Sequence, residues 1–176
     1  MGAPDPVVAA MRSVLPAGAV LDDPDVVGSY ARDQAMFTAA GLPRAVALPR
    51  TADEVAAVLR VASENRVPVV PRGAGSGLAG AANGLDGGIQ LVLTGMDRIL
   101  EIDPDNRLAV VEPGVVTADL RKAVEAEGLF YPPDPASYDW CNHRRQPVHR
   151  RRRPVLRQVR RDQRLRARAG GRAGVR

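Results

Sequence analysis

Four glycines fall within eight residues, at positions 73 to 80, directly after an apolar segment that ends at Arg72. Glycine is required where the backbone turns through positive φ or approaches a ligand without a β-carbon between them. Successive backbone N–H groups in such a turn form a concave site for an anion such as a phosphate or a diphosphate. The spacing therefore predicts a nucleotide-cofactor site between Pro71 and Gly80.

The string Gly75 to Gly80 has the form G-x-G-x-x-G, which also occurs in Rossmann dinucleotide-binding folds. That fold needs a helix that begins inside the glycines, so that the diphosphate lies on its N-terminus. Here Asn83 to Gly88 would interrupt a helix, and Ile89 to Leu93 is typical of a strand. Asp97 stands about 20 residues on, where a ribose-binding acid is expected. A Rossmann module and a surface loop without a ligand stay open as alternatives, and a helix starting within the glycines would favour the former.

The wider sequence resembles the FAD-linked oxidases with a vanillyl-alcohol-oxidase (PCMH-type) flavin domain, most closely the branch that contains glycolate oxidase and D-lactate dehydrogenase. The likeness extends over most of residues 20 to 141 and rests on four ordered segments. These are Pro49 to Val55, Pro71 to Leu78, Val111 to Val115 and Tyr131 to Ser137.

The resemblance implies FAD as the cofactor, with its diphosphate held by the amides of residues 72 to 78. The implied cofactor-binding residues are Pro71, Arg72, Gly73, Ala74, Gly75, Ser76, Gly77, Leu78, Pro113, Gly114, Pro133, Asp134 and Ser137. Arg72 would either contact a phosphate through its guanidinium or remain an exposed charge at a strand end. Asp134 would either approach the flavin or make a turn between prolines. Tyr131 and Trp140 are candidates both for core packing and for flavin contact.

The resemblance further implies oxidation of a small 2-hydroxy acid, whose α-carbon passes a hydride to the flavin. The histidine base and the arginine clamps of the family lie in parts that this chain does not contain, and neither His143 nor His149 matches a family motif. We therefore assign no catalytic residue and no metal ligand, and we expect the chain alone to be inactive.

The periodicity predicts an α+β fold, the first α/β subdomain of a PCMH-type FAD-binding domain. Helices are expected at residues 6–15, within 22–33, after Thr51 and at 119–127, where Thr51 and Thr117 are candidate caps. Strands are expected at residues 45–48, 67–70 and 89–93, the first two forming a βαβ unit with the helix between them, followed by a hairpin of 99–102 with 108–111. The predicted domains are a helical lead-in (1–44), a partial FAD-binding domain (45–141) and a tail (142–176).

The charge of the chain divides sharply at residue 142. The tail holds fourteen arginines and one aspartate, a net charge of +13, whereas residues 1–141 carry −8. The apolar residues of the tail follow no period, which predicts disorder. The single cysteine, Cys141, excludes an intrachain disulfide and suits a reducing cytoplasm. We expect neither a signal peptide nor an apolar segment of membrane-spanning length.

Three explanations of the tail are open. A basic arm would bind nucleic acid through its phosphates, but the tail lacks aromatic residues for stacking, so no specific nucleic acid is expected. A solvated charged tail without a function is the second explanation. The third is translation out of frame, because GC-rich codons for the family's Ile-Gly-Gly-Asn, read one base earlier, give His143-Arg144-Arg145-Gln146.

Overall fold

The computed structural model describes residues 5–142 and the backbone of residues 158–161. In chain order its elements are α1 (Pro6–Val14), β1 (Val20–Leu21), α2 (Pro24–Ser29), β2 (Ala45–Ala47), α3 (Ala52–Glu64), β3 (Val69–Arg72), β4 (Ile89–Val92), β5 (Ile99–Asp103), β6 (Leu108–Val111), α4 (Thr117–Ala126) and β7 (Gln158–Arg161). The α+β composition agrees with the sequence prediction.

The first sheet has the strand order β1-β2-β4-β3, in which β2 and β3 are both parallel to β4 and β1 is antiparallel to β2. The predicted βαβ unit is present as β2-α3-β3, but β4 lies between its two strands. Ligands of parallel sheets bind outside the carboxyl ends of the strands. Because β3 ends at Arg72, the glycine-rich segment begins at that edge of the sheet.

Two amphipathic helices, α1 and α3, cover one face of this sheet. α3 starts where Thr51 Oγ1 accepts a hydrogen bond from the Glu54 amide at 3.2 Å. The Glu54 carboxylate accepts a hydrogen bond from the Arg50 amide at 2.7 Å, one residue before the amide that it would accept from in a regular capping box. The apolar sides of α1 and α3 and the inner face of the sheet form the main core, which includes Met11, Val58 and Ile89.

The second sheet contains the predicted hairpin, β5 paired antiparallel with β6. Its inner face packs on α4 and on Tyr131, which is buried. Burial raises the pKa of the Tyr131 phenol. Tyr131 is therefore a core residue.

The prediction that Thr117 caps the last helix is wrong. α4 begins at Thr117 itself, after Val116, and has no side-chain cap. The Thr117 hydroxyl is fully buried and donates to the Cys141 carbonyl at 3.2 Å, because that chain segment lies directly against the start of the helix.

The disordered basic tail expected from residue 142 onward contains two described pieces of β structure. Asn142 forms a β-bridge with Val116. Residues 158–161 form β7, which is parallel to β6, since the edge of β6 opposite β5 offers unpaired backbone groups. The rest of the predicted tail, 143–157 and 162–176, lies outside the described residues. Among the described helices, none combines the length and the apolar character needed to cross a membrane.

Candidate functional site

A cavity of about 350 Å³ opens beside the glycine-rich segment, which is a loop and contains no helical turn. One wall is the loop itself, and the opposite wall comes from the segment that follows Pro133. The residues that line it are Asp33, Gly73, Ala74, Gly75, Ser76, Gly77, Leu78, Ala79, Ala81, Ala82, Pro135, Ser137, Cys141 and Asn142. Ligand pockets typically enclose about 300–1,000 Å³, so the cavity is large enough for part of a nucleotide cofactor.

The loop supplies backbone donors to this cavity. Within the part of the chain that the structure describes, the amides of residues 74 to 78 donate to no backbone or side-chain acceptor. Residues 74 to 76 are buried or half-buried, where N–H groups are normally paired with protein or solvent. Residues 77 and 78 are exposed, so their amides can be satisfied by water. All five of these residues line the cavity, which suits an anionic group.

The Arg72 side chain lies beneath the loop and is only 8% exposed. Its Nη1 donates to the Arg32 carbonyl at 2.8 Å. Its Nη2 occupies the place that a β-carbon on Gly75 would need, and Gly75 has a φ of +79°. Burial lowers the pKa of Arg72, an effect that the nearby charge of Asp33 opposes. Of the two roles left open for Arg72, the exposed charge at the strand end is therefore wrong, because the side chain turns under the loop.

Asp33 joins the loop from the other side. Its carboxylate accepts from the Ala35 amide at 2.8 Å and from the Ala82 amide at 3.4 Å, and its own amide donates to Asn83 Oδ1 at 2.8 Å. The Gln34 amide donates to the Gly77 carbonyl at 3.0 Å. Residues 33 and 34 are thus tied to both halves of the loop.

Asn83 fixes the end of the same loop and is 6% exposed. Its side-chain amide donates to Thr38 Oγ1 at 2.9 Å and to the Ala39 carbonyl at 3.0 Å. The loop conformation therefore depends on residues 32–39, which lie far from it in the sequence.

The opposite wall is held by α4 and by the backbone that precedes it. Arg121 of α4 donates to the Pro133 carbonyl at 2.9 Å and to the Asp134 carboxylate at 2.8 Å. Asn142 donates through Nδ2 to the Gly114 carbonyl at 2.5 Å, whereas its Oδ1 is buried and has no partner among the described residues. Asn142 thereby connects the cavity lining to Gly114.

Gly114 needs to be glycine because its backbone packs directly on other backbone atoms. A β-carbon there would lie 2.5 Å from the Leu93 carbonyl oxygen and 2.7 Å from that of Met96. Such a contact cannot be relieved by a rotamer change, because both atoms belong to the main chain.

Seven of the thirteen predicted site residues line the cavity: Gly73, Ala74, Gly75, Ser76, Gly77, Leu78 and Ser137. Six are not among the residues that line it: Pro71, Arg72, Pro113, Gly114, Pro133 and Asp134. The Asp134 carboxylate pairs with Arg121, and the exposed Trp140 is not among the lining residues.

Sequence reasoning missed Asp33, Ala79, Ala81, Ala82, Pro135, Cys141 and Asn142 as lining residues. Ala79 and Pro135 could have been found, because they directly adjoin predicted positions. Asp33 carried no signal, since it lies in a segment without periodicity and reaches the site through contacts with residues about 50 positions away.

Comparison with known proteins identifies the family. Residues 43–142 match the model of an FAD binding domain. Glycolate oxidase subunit GlcD of Bacillus subtilis is 51% identical over 96 residues, which is 54% of this chain and 20% of that protein. D-lactate dehydrogenase of Anaerostipes hadrus is 32% identical over 129 residues, which is 73% of this chain and 27% of that protein.

Among solved structures, p-cresol methylhydroxylase with substrate bound is similar with a TM-score of 0.61 and 26% identity. The match covers 69% of this chain and 24% of that one. The chain thus spans about a fifth to a quarter of the length of these relatives. Its fold is that of the PCMH-type flavin domain, and the chain belongs to the FAD binding domain family of FAD-linked oxidases.

Proposed function

We propose that this chain is the FAD-binding part of a flavin-dependent oxidoreductase that oxidises a small 2-hydroxy acid of the glycolate or D-lactate type. The observation that carries the proposal is the row of unpaired amides from residue 74 to residue 78 along the cavity. The family match and the names of the two relatives support the cofactor and the substrate class.

When bound, FAD supplies the redox chemistry by accepting a hydride, and the protein contributes binding and orientation. The amides of residues 72 to 78 would hold its diphosphate, and the small side chains of Gly73, Ala74 and Gly75 leave the backbone accessible. Ser137 would contact the cofactor from the opposite wall. Pro113, Gly114, Pro133 and Asp134 would act by shaping that wall.

The two alternative functions are not favoured. A Rossmann module requires a helix that begins between Gly75 and Gly80, and this segment is a loop that leads to β4. A nucleic-acid arm would consist mostly of residues outside the described part of the chain. Residues 43–142 match a flavin domain, which adds nothing to such a role.

We also propose the domain division 1–44, 45–141 and 142–176, with the last segment translated out of frame. The family match ends at residue 142, where the basic composition begins. The nucleotide sequence around the Cys141 codon tests this proposal. A one-base deletion that restores Thr-Ile-Gly-Gly-Asn is expected, and the absence of any such change would overturn it.

The lone cysteine supports a cytoplasmic location.

Equilibrium titration of the full chain with FAD tests the cofactor proposal. Riboflavin is the matched control, because it carries the same ring system without the diphosphate. We expect FAD to bind at least tenfold more tightly than riboflavin, and ADP to compete with it. Equal affinity for FAD and riboflavin, or no saturable binding of FAD, would contradict the proposal.

A further inference from the structure

The loop that faces the cavity is supported from below by a buried cation. Arg72 is 8% exposed, which is uncommon for arginine, a residue type that is rarely buried without a partner. Its Nη1 is bound to the Arg32 carbonyl at 2.8 Å. Arg72 is not among the residues that line the cavity.

The position of the guanidinium explains the backbone of the loop. Gly75 lies directly on Arg72 Nη2, and only glycine leaves that space free. The φ of +79° at Gly75 turns the chain back over the guanidinium, so that residues 73 to 77 run along the cavity. A shorter or flexible side chain at position 72 would leave this turn without support.

The charge of Arg72 is only partly offset. Its hydrogen-bond acceptor on Arg32 is a neutral carbonyl, and the nearby anionic group, Asp33, makes no ion pair with it. Asp33 directs its carboxylate to the Ala35 and Ala82 amides. Positive charge in a partly desolvated place acts over several ångströms, because solvent screens it weakly.

We propose that Arg72 is a positioning residue for the diphosphate of FAD: its guanidinium holds the glycine loop from beneath and adds positive charge through the loop, without itself touching the cofactor. This inference rests on the proposed FAD site and adds a residue that acts behind the binding surface. Arg32 and Asp33, which precede the family match at residue 43, then belong to the functional site as its support.

Hydrogen exchange of the unliganded full chain tests the support role independently of FAD. In Arg72→Met we expect faster exchange, by at least tenfold, of the two amides whose hydrogen bonds tie the loop down, with α3 unchanged. These are the amide of Gln34, bound to the Gly77 carbonyl at 3.0 Å, and the amide of Asn83, bound to the Gly80 carbonyl at 3.1 Å. Arg60→Met removes the same charge from an exposed position of α3 and should leave the loop unchanged. Unchanged loop exchange in Arg72→Met would overturn the proposal.

The affinity for FAD tests the charge. We expect Arg72→Met to weaken FAD binding about tenfold and Arg72→Lys, which keeps the charge, about threefold or less. Equal losses in the two variants would overturn the electrostatic part, and no loss in either would overturn the whole inference. If Arg72→Met does not fold, the hydrogen exchange of the loop is compared between Arg72→Lys and its control, Arg60→Lys. Absence of FAD binding in the parent chain would instead refute the proposed function. The hydrogen-exchange result would then still decide whether Arg72 supports the loop.

Discussion

Arg121 and Asp134 form an ion pair of 2.8 Å that joins α4 to the second wall of the cavity. The same Nη2 also donates to the Pro133 carbonyl at 2.9 Å, and the guanidinium carbon lies 4.8 Å from the centre of the Tyr138 ring. Arg121 thereby contacts both ends of the segment that contains Pro135 and Ser137, which line the cavity. Arg121 is thus one of the side chains that hold this wall, and the exposed Asp134 is the weaker of its contacts.

The first prediction separates these contacts. Arg121→Met should lower the free energy of unfolding by about 2 kcal/mol, because it removes a charge-assisted bond to a carbonyl and a cation–π contact. Asp134→Asn should cost less than about 1 kcal/mol, because the Asp134 side chain is 74% exposed. Urea unfolding of the two variants measures both values. Equal losses would show that the ion pair, and not the carbonyl bond, holds the wall.

The second prediction concerns Gly75. Gly75→Ala introduces a β-carbon at a φ of +79° and against the Arg72 guanidinium. We expect a loss of about 2 kcal/mol in stability and at least a tenfold loss in FAD affinity. Gly28→Ala in α2 is the matched control, since nothing lies within 4 Å of its added β-carbon and its φ is not positive. Denaturation measures the stability of both variants, and titration measures their affinity for FAD. Equal stabilities and equal affinities in the two variants would contradict the role assigned to Gly75.

The third prediction is a pH dependence. Hydrogen bonds from Arg98 to the buried Glu112 carboxylate, one of them 2.7 Å, hold the pKa of Glu112 below its usual range. A lowered pKa in the folded state means that the unfolded state binds the proton more readily. The stabilisation is complete above the ordinary pKa of about 4.3 and is lost as the pH falls through the lowered value.

Glu112→Gln should therefore remove part of the acid sensitivity of the fold. Unfolding free energies between neutral and acidic pH measure the effect, and the difference between parent and variant should shrink as the pH falls. A difference that stays constant, or grows, in acid would show that the Glu112 carboxylate is not stabilised by Arg98.

The fourth prediction uses Cys141, the single cysteine of the chain, as a reporter of the cavity. Its side chain is buried and its Sγ lies 3.2 Å from Thr117 Oγ1. A thiol reagent should modify it about a hundredfold more slowly in the folded chain than in urea, because modification requires local opening. Bound FAD should slow the reaction further, since Cys141 lines the cavity. An unchanged rate with saturating FAD would place the cofactor elsewhere.

The local features of the fold could be predicted from the sequence. Thr51 and the apolar period behind it located α3, and the glycine spacing located the loop, because both depend on near neighbours in the chain. The insertion of β4 between β2 and β3 and the short strand β1 were not predicted, because pairing between distant strands leaves no local pattern.

The site was predictable only where the backbone itself forms it. The glycines that line the cavity could be predicted from their residue type and spacing alone. The direction of the Arg72 side chain does not, since either side of a strand end accepts an arginine. Asp33 and Asn142 reach the cavity through tertiary contacts, with Asn83 and with Gly114, that no spacing in the sequence encodes.

Amide chemical shifts of the isotope-labelled full chain, recorded as FAD is added, test the central claim most directly. If residues 74 to 78 hold the diphosphate, their amides should show the largest shift changes, and the amides of α3 should stay in place. Changes confined to other segments, or none at saturating FAD, would contradict the assignment of the glycine loop as the flavin diphosphate site.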